Sequence, residues 1–341
     1  VQPTTKGKLY RLPVTKDVVT AGKAAHLAAV EHNKTLRQNE NRVQLEHQMN
    51  VHQPAMPAGM CRDHVCDSAK MKKDHQKQQH EEIVKPGEVD TSWDLIHSPI
   101  KDLDGNVAAV VCTTGEGLKI PVRVKGKDAT TLKQAVIKIV NKIKRIYPSG
   151  TVIARFHADK EKGMETVVQQ YIEAEGITPT ETEGYDHNGN SRAERTNEKA
   201  REFQRSLLLD AAGDVHSYQD LALLAVEHGL DVCNYLPEAG QKSPMEKATG
   251  KAYDIHEHTY PFGCKVLFWE APERRTGKED LPTKTGAYLG RSDQVLGGHK
   301  VCTAVWNDLD CVWEMSKTLH RKTVRAFPEV MLLKTKSAAK K

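Results

Sequence analysis

The chain has 341 residues, 38% of them hydrophobic, and a formal net charge of +5; that length suits two or three folded units, and no apolar run approaches the ~18 residues of a membrane span. Seven scattered cysteines, an odd number (Cys61, Cys66, Cys112, Cys233, Cys264, Cys302, Cys311), argue against a disulfide framework and for reduced thiols in an intracellular compartment. Basic ends flank an acidic centre, with thirteen Lys/Arg against seven Asp/Glu in residues 1–80, eight against two in 314–341, and 29 against 36 between, a pattern suited to a polyanion at the ends and to metal ions or solvated charge in the middle.

Residues 1–84 are polar and rich in Gln, Lys and His, and the spacing predicts a helix from about Ala24 to Gln44. The start, VQPTTKGKLY, has neither a secretory pattern nor an initiator Met, which points to a piece of a longer chain. Within 47–66 the order His47, His52, Cys61, Cys66 offers two imidazoles and two thiolates, a closed tetrahedral set for Zn²⁺. Both spacings are wider than the common ones, and His64 is an alternative ligand; the competing reading is a His-rich linker with two ordinary thiols. KPGEVDTS (85–92) reads as a linker.

Residues 90–236 form the expected core. Three strand-like runs, SWDLI, NVAAVVCTT and LKIPVRV, are separated by turns at Asp104-Gly105 and Gly115-Glu116-Gly117. A helix with Leu132, Val136, Ile139 and Ile143 on one face follows, then the strand TVIARFHAD, a helix carrying Met164, Val168, Tyr171 and Ile172, and a short strand in ITPTET. The order βββαβαβ is that of a ribonuclease-H-like α/β core with a mixed five-stranded sheet. The polar stretch GYDHNGNS (184–191) is a flexible loop by composition, and a helix opens behind it at Ala193-Glu194-Arg195. Helical runs at 203–212, stopped by Gly213, and 217–236 complete the core. A linker is expected at 237–262, then a β-rich module at 263–333 from CKVLFWE, TGAYLG, HKVCTAVW, CVWEM and LHRKTVRAF, and a basic tail at 334–341. Trp269, Trp306 and Trp313 are expected to fill its core.

Three carboxylates stand out in this topology. Asp94 lies in the first strand, Asp159 at the carboxyl end of the fourth, and Glu194 on the helix behind the loop. In a ribonuclease-H-like sheet the first and fourth strands are neighbours, so the three acids converge, and a divalent cation relieves their repulsion. One turn per 3.6 residues puts Asn197, Glu198, Arg201 and Arg205 on the exposed face with Glu194, and Ala200, Phe203 and Leu207 opposite.

WDLIHSPIKDLDGNVAAVVCTT, RFHADKEKGM and GITPTETEGYDHNGNSRAER, with thirty-four residues between Asp159 and Glu194, resemble the DDE integrase core of copia-type retrotransposons. SPMEKATGKAYDIHEHTYPFGCKVLFWE, GAYLGRS and the HKV strand are similar to the segment that follows that core, so the resemblance covers most of the chain. It implies a polynucleotidyl transferase that inserts element DNA into host DNA. Asp94, Asp159 and Glu194 would be its catalytic residues and the ligands of two Mg²⁺ or Mn²⁺ ions. It implies a zinc module before the core and self-association, because joining two DNA ends needs more than one active site; DNA contacts are expected at Asn190, Arg195, Arg201 and Arg205 around Glu194, and at Arg321, Lys322 and Arg325, whose alternation could put charge on one strand face. Element ends and target DNA would be its partners, with no membrane and no small-molecule substrate, acting in the nucleus after a cytoplasmic particle stage. Such cores usually read D-x-x-G-P and D-x-G-x-E-F where this chain has Asp94-Leu95-Ile96-His97-Ser98-Pro99 and Asp159-Lys160-Glu161-Lys162-Gly163-Met164. Two other readings follow: a nuclease of the same fold, and a catalytically inactive remnant or domesticated DNA-binding protein.

Overall fold

Side-chain alternation along the first strand, β1 (Glu88–His97), organises the core. Val89, Trp93 and Leu95 face one apolar cluster, and Ile96 faces another. The computed structural model describes residues 2–3, 10–11, 87–158, 167–181, 191–237, 240–255, 259–275, 279, 281–309 and 312–334. A short antiparallel pair, Gln2–Pro3 with Tyr10–Arg11, stands apart in sequence from the rest.

The core continues through β2 (Ala108–Thr114), β3 (Lys119–Val124), α1 (Ala129–Ile146), β4 (Val152–Ala158), α2 (Val167–Ala174), β5 (Thr178–Glu181), α3 (Ser191–Ala212) and α4 (Ala222–Tyr235). The sheet order is β3-β2-β1-β4-β5. The first three strands are antiparallel neighbours, and β1-β4 and β4-β5 are parallel. This is the ribonuclease-H-like order expected from βββαβαβ. Leu132, Val136, Ile139 and Ile143 dock α1 onto one face with Val168 and Ile172 of α2. On the other face Ala200, Phe203 and Leu207 of α3 pack with α4. Gly229 of α4 lets the two helices close up, since a Cβ there would lie 2.6 Å from that of Phe203. Asp128 caps α1 by accepting from the Thr131 N–H at 2.9 Å, and Gly213, at φ 85°, ends α3 by donating to the Leu209 carbonyl.

A second, antiparallel sheet comprises β6 (Cys264–Trp269), β7 (Thr283–Arg291), β8 (His299–Asn307), β9 (Val312–Met315), β10 (Leu319–Arg321) and β11 (Val324–Met331). Its order is β9-β8-β7-β6-β11, with β10 also paired to β8. Ala287, Leu289, Cys302 and Ala304 share one apolar cluster with α3 and α4, so this sheet packs directly on the core. A buried ion network pins the junction. Arg123 of β3 meets Asp102 (2.5 Å), Asp104 (2.9 Å) and Glu227 of α4 (2.9 Å), and Glu227 meets Lys300 of β8 at 2.6 Å. Burial pushes the Glu227 carboxyl up, but Lys300 and Arg123 outweigh it and hold the group well below the usual carboxylate range.

Several expectations change. β1 begins at Glu88, inside the stretch read as a linker, because Glu88 to Ser92 pair with neighbouring strands. The helix opening behind the polar loop and the run at 203–212 are one helix of 22 residues. The run at 217–236 opens with a 3₁₀ turn at Gln219–Leu221 before α4. Within the linker expected at 237–262, Pro244–Thr249 form α5, capped by Ser243 and closed by Gly250 at φ 73°, with Met245 and Ala248 buried in the core. LHRKTVRAF is two strands, and Trp269 is 53% exposed rather than in a core, with Arg275 over its ring. Trp306 and Trp313 are half-buried and meet edge to face at 5.4 Å, and Trp313 packs against the apolar cluster shared with α3 and α4, as expected of it. The helix expected at 24–44, Met164 and nearly all of the tail at 334–341 lie outside the described residues.

Candidate active site

The centre of β1 carries the site. Asp94 is half-buried, on the same strand face as Asp90 and Ser92. Its Oδ1 accepts the Leu95 backbone N–H at 2.7 Å, and its Oδ2 accepts the Asn197 side-chain amide at 2.5 Å. Trp93 points to the opposite face, where it is fully buried 4.5 Å from the Phe156 ring and donates its indole N–H to Thr91 Oγ1. That packing fixes the backbone that presents Asp94.

Parallel pairing in β1-β4 sets Asp90 beside Arg155 and Trp93 beside Ala158, the last residue of β4. Asp159 follows Ala158 in sequence and lies outside the described residues. Glu194 is exposed in the first turn of α3, where the helix dipole favours an acid. It stands one turn before Asn197, the residue that touches Asp94. Three polar contacts seat this end of α3 on the sheet: Arg192 on Asp90 (2.9 Å), Thr196 on Thr113 (2.9 Å) and Asn197 on Asp94. Beyond them Ala200, Phe203 and Leu207 continue the docking with apolar surface, fully buried as their spacing predicts.

Asn197 corrects the helical-wheel reading. It is buried, not on the solvent face with Glu194, because it lies where the helix surface meets the sheet. Its Oδ1 is buried without a hydrogen-bond partner among the described residues, which leaves one unoccupied oxygen donor beside the Asp94 carboxylate. Neither this role of Asn197 nor the Asp90 contact is visible in the sequence reading. The alternation Asp90-x-Ser92-x-Asp94 is the available signal, hidden by the turn-like Lys85-Pro86-Gly87 before it.

The expected cationic contacts divide. Arg195, Arg201 and Arg205 of α3 are exposed, with Arg195 folded back onto the Ser191 carbonyl at 3.0 Å. Lys322 is exposed in the bend after β10, and Arg325 is exposed on β11. Arg321 is drawn inward, over the Phe268 ring at 5.4 Å and 3.7 Å from Glu270. A bend at Lys322 separates β10 from β11, so these three cations do not share one strand face. Asn190, the expected zinc ligands His47, His52, Cys61 and Cys66, and the alternative ligand His64 lie outside the described residues.

Among the described residues no group of three or more His, Cys, Asp or Glu side chains forms a ready metal site. Asp94 and the Asn197 carbonyl oxygen are hard oxygen donors of the kind Mg²⁺ and Mn²⁺ prefer. Cys112, Cys233, Cys264 and Cys302 are buried, and burial pushes Cys264 and Cys302 up to about 12, far from a thiolate nucleophile. No described helix is long and apolar enough to cross a membrane.

No family model matches the sequence, and no curated protein does. Among solved structures the chain is similar to the catalytic core domain of BIV integrase, at 15% identity and a TM-score of 0.35, over 47% of this chain and 92% of that one.

Proposed function

We propose that this chain is the integrase region of a copia-type retrotransposon polyprotein, a metal-dependent polynucleotidyl transferase that joins the element's DNA ends to target DNA. The observation that carries the reading is Asp94 on the central strand of a ribonuclease-H-like sheet, gripped by Asn197 from the helix that bears Glu194. The resemblance of the three sequence blocks supplies Asp159 as the third acid.

Asp94, Asp159 and Glu194 would hold Mg²⁺ or Mn²⁺, and the hard oxygen donors of the described site fit that choice. Held by these residues, two such ions would supply activation of a water or a DNA 3′-hydroxyl and stabilisation of the leaving 3′ oxygen. The chain's own residues do the positioning. Packing of Trp93 fixes the strand under Asp94, Asn197 orients its carboxylate, and the polar seat of α3 sets the turn that carries Glu194. Arg195, Arg201 and Arg205 line the exposed side of that helix, where a phosphate backbone can approach. Zinc at His47, His52, Cys61 and Cys66, self-association on two DNA ends, and action in the nucleus after a cytoplasmic stage belong to the same proposal.

The test is strand transfer of a labelled duplex carrying the element's terminal sequence into plasmid DNA, with Mn²⁺ and Mg²⁺, for the wild type and Glu194→Gln. The expected result is joined product in the wild type and a loss of about 100-fold or more in the variant. Nicks without joined product would indicate a nuclease. Retained DNA binding with neither product would indicate an inactive remnant or a domesticated DNA-binding protein.

A further inference from the structure

We infer that Asp90 is a positioning residue for the acid site, tying β1, which carries Asp94, and α3, which carries Glu194, to β4, the strand that Asp159 follows in sequence. Asp90 lies on β1, four residues before Asp94 and on the same face. Its carboxylate is buried, with side-chain exposure of 5%, and it is gripped by two guanidinium groups. Arg155 of β4 donates through Nε at 2.6 Å and Nη2 at 2.9 Å, a bidentate pair, and Arg192 of α3 donates through Nη1 at 2.9 Å. Arg155 is the parallel-register partner of Asp90 and lies four residues before Asp159 in sequence, whereas Arg192 lies two residues before Glu194.

One carboxylate therefore fixes two strands and a helix relative to one another beside the acids. Bidentate, charge-assisted bonds are the directional kind, so they constrain orientation as well as proximity. α3 uses this anchor: its share of the apolar cluster begins at Ala200, and in its first two turns the polar contacts of Arg192, Thr196 and Asn197 join the single small buried side chain of Ala193. Without Asp90, the turn bearing Glu194 keeps the Thr196 and Asn197 contacts but loses the tie through Arg192. Arg155 and Arg192 remain a third and a quarter exposed, so loss of the carboxylate leaves neither cation in a dry interior. The loss is thus a loss of alignment, with the apolar core left in place.

The consequence at the acids rests on the transferase reading, whereas the contact network does not. The test compares the wild type with Asp90→Asn and Arg192→Gln by amide hydrogen exchange and by the Mg²⁺ dependence of strand transfer. In both variants exchange at Ala193–Asn197 should quicken about fivefold or more while Leu207–Ala212 stays unchanged. The half-saturating Mg²⁺ concentration should rise, and the rate at saturating metal should fall on the order of tenfold, as expected for a displaced ligand. Unchanged exchange at Ala193–Asn197, or an equal increase along the whole chain, overturns the inference. If the wild type transfers no strand in any metal, the transferase reading fails, and hydrogen exchange still decides whether Asp90 orders this end of α3.

Discussion

Asn197 shows what one side chain contributes to this site. Its amide satisfies one oxygen of Asp94 while its own carbonyl oxygen is buried without a hydrogen bond among the described residues. Replacing it with Ala removes a useful bond and a costly orphan together, and the two effects oppose each other. Asn197→Ala should therefore change stability by about 1 kcal/mol or less, yet lower strand transfer on the order of tenfold, because Asp94 loses its orienting donor. Thermal unfolding beside the transfer rate checks this, and a large loss of stability would assign Asn197 to the fold instead. The order βββαβαβ singles out Asp94 and Glu194, because it brings the first strand and the helix behind the polar loop together. Asn197 is misplaced because a helical wheel divides a helix into faces without showing where its edge meets a sheet.

At the level of elements, the apolar periodicities are legible: the core strands, α1 and the docking stripe of α3 all follow from them. The first half of β1 is not, because its buried residues include the polar Asp90, Thr91 and Ser92, and a polar run behind Pro86-Gly87 reads as a linker in the chain alone. α5 escapes for a different reason. It is six residues long, too short for a period to show, although Ser243 before Pro244 and Gly250 after Thr249 are start and stop signals. The α3-α4 contact yields a sharp expectation. A Cβ at Gly229 would overlap Phe203, which is fully buried, so Gly229→Ala should destabilise the protein by about 1–3 kcal/mol through forced separation of the helices. Denaturant unfolding measures it, and a neutral result would mean that the helices part at no cost.

Across the whole molecule, the second sheet is legible as strands but not as a body docked on the core. Its anchoring lies in side chains far apart in sequence: Arg123, Glu227 and Lys300, beneath an apolar cluster that both units share. Removing the Glu227 charge takes the carboxylate from buried Lys300, while Arg123 keeps Asp102 and Asp104, so Glu227→Gln should cost about 3 kcal/mol. The sign of the pH dependence follows from the depressed folded-state value of this carboxyl. Its stabilising contribution is complete above the ordinary unfolded value of about 4.3 and is lost as the pH falls below it. The wild type should lose thermal stability below about pH 4 more steeply than Glu227→Gln does, and parallel curves would contradict the network. Shared apolar packing further implies that core and second sheet unfold together, in one transition.

The acids themselves allow the most direct test of the proposed site. Mn²⁺ binding, followed by electron paramagnetic resonance on the wild type, Asp94→Asn and Glu194→Gln, asks whether these carboxylates hold metal at all. The wild type should bind, and each variant should bind more weakly, on the order of tenfold or more. Equal Mn²⁺ affinity in all three proteins, each shown to be folded, would contradict a metal site at these acids.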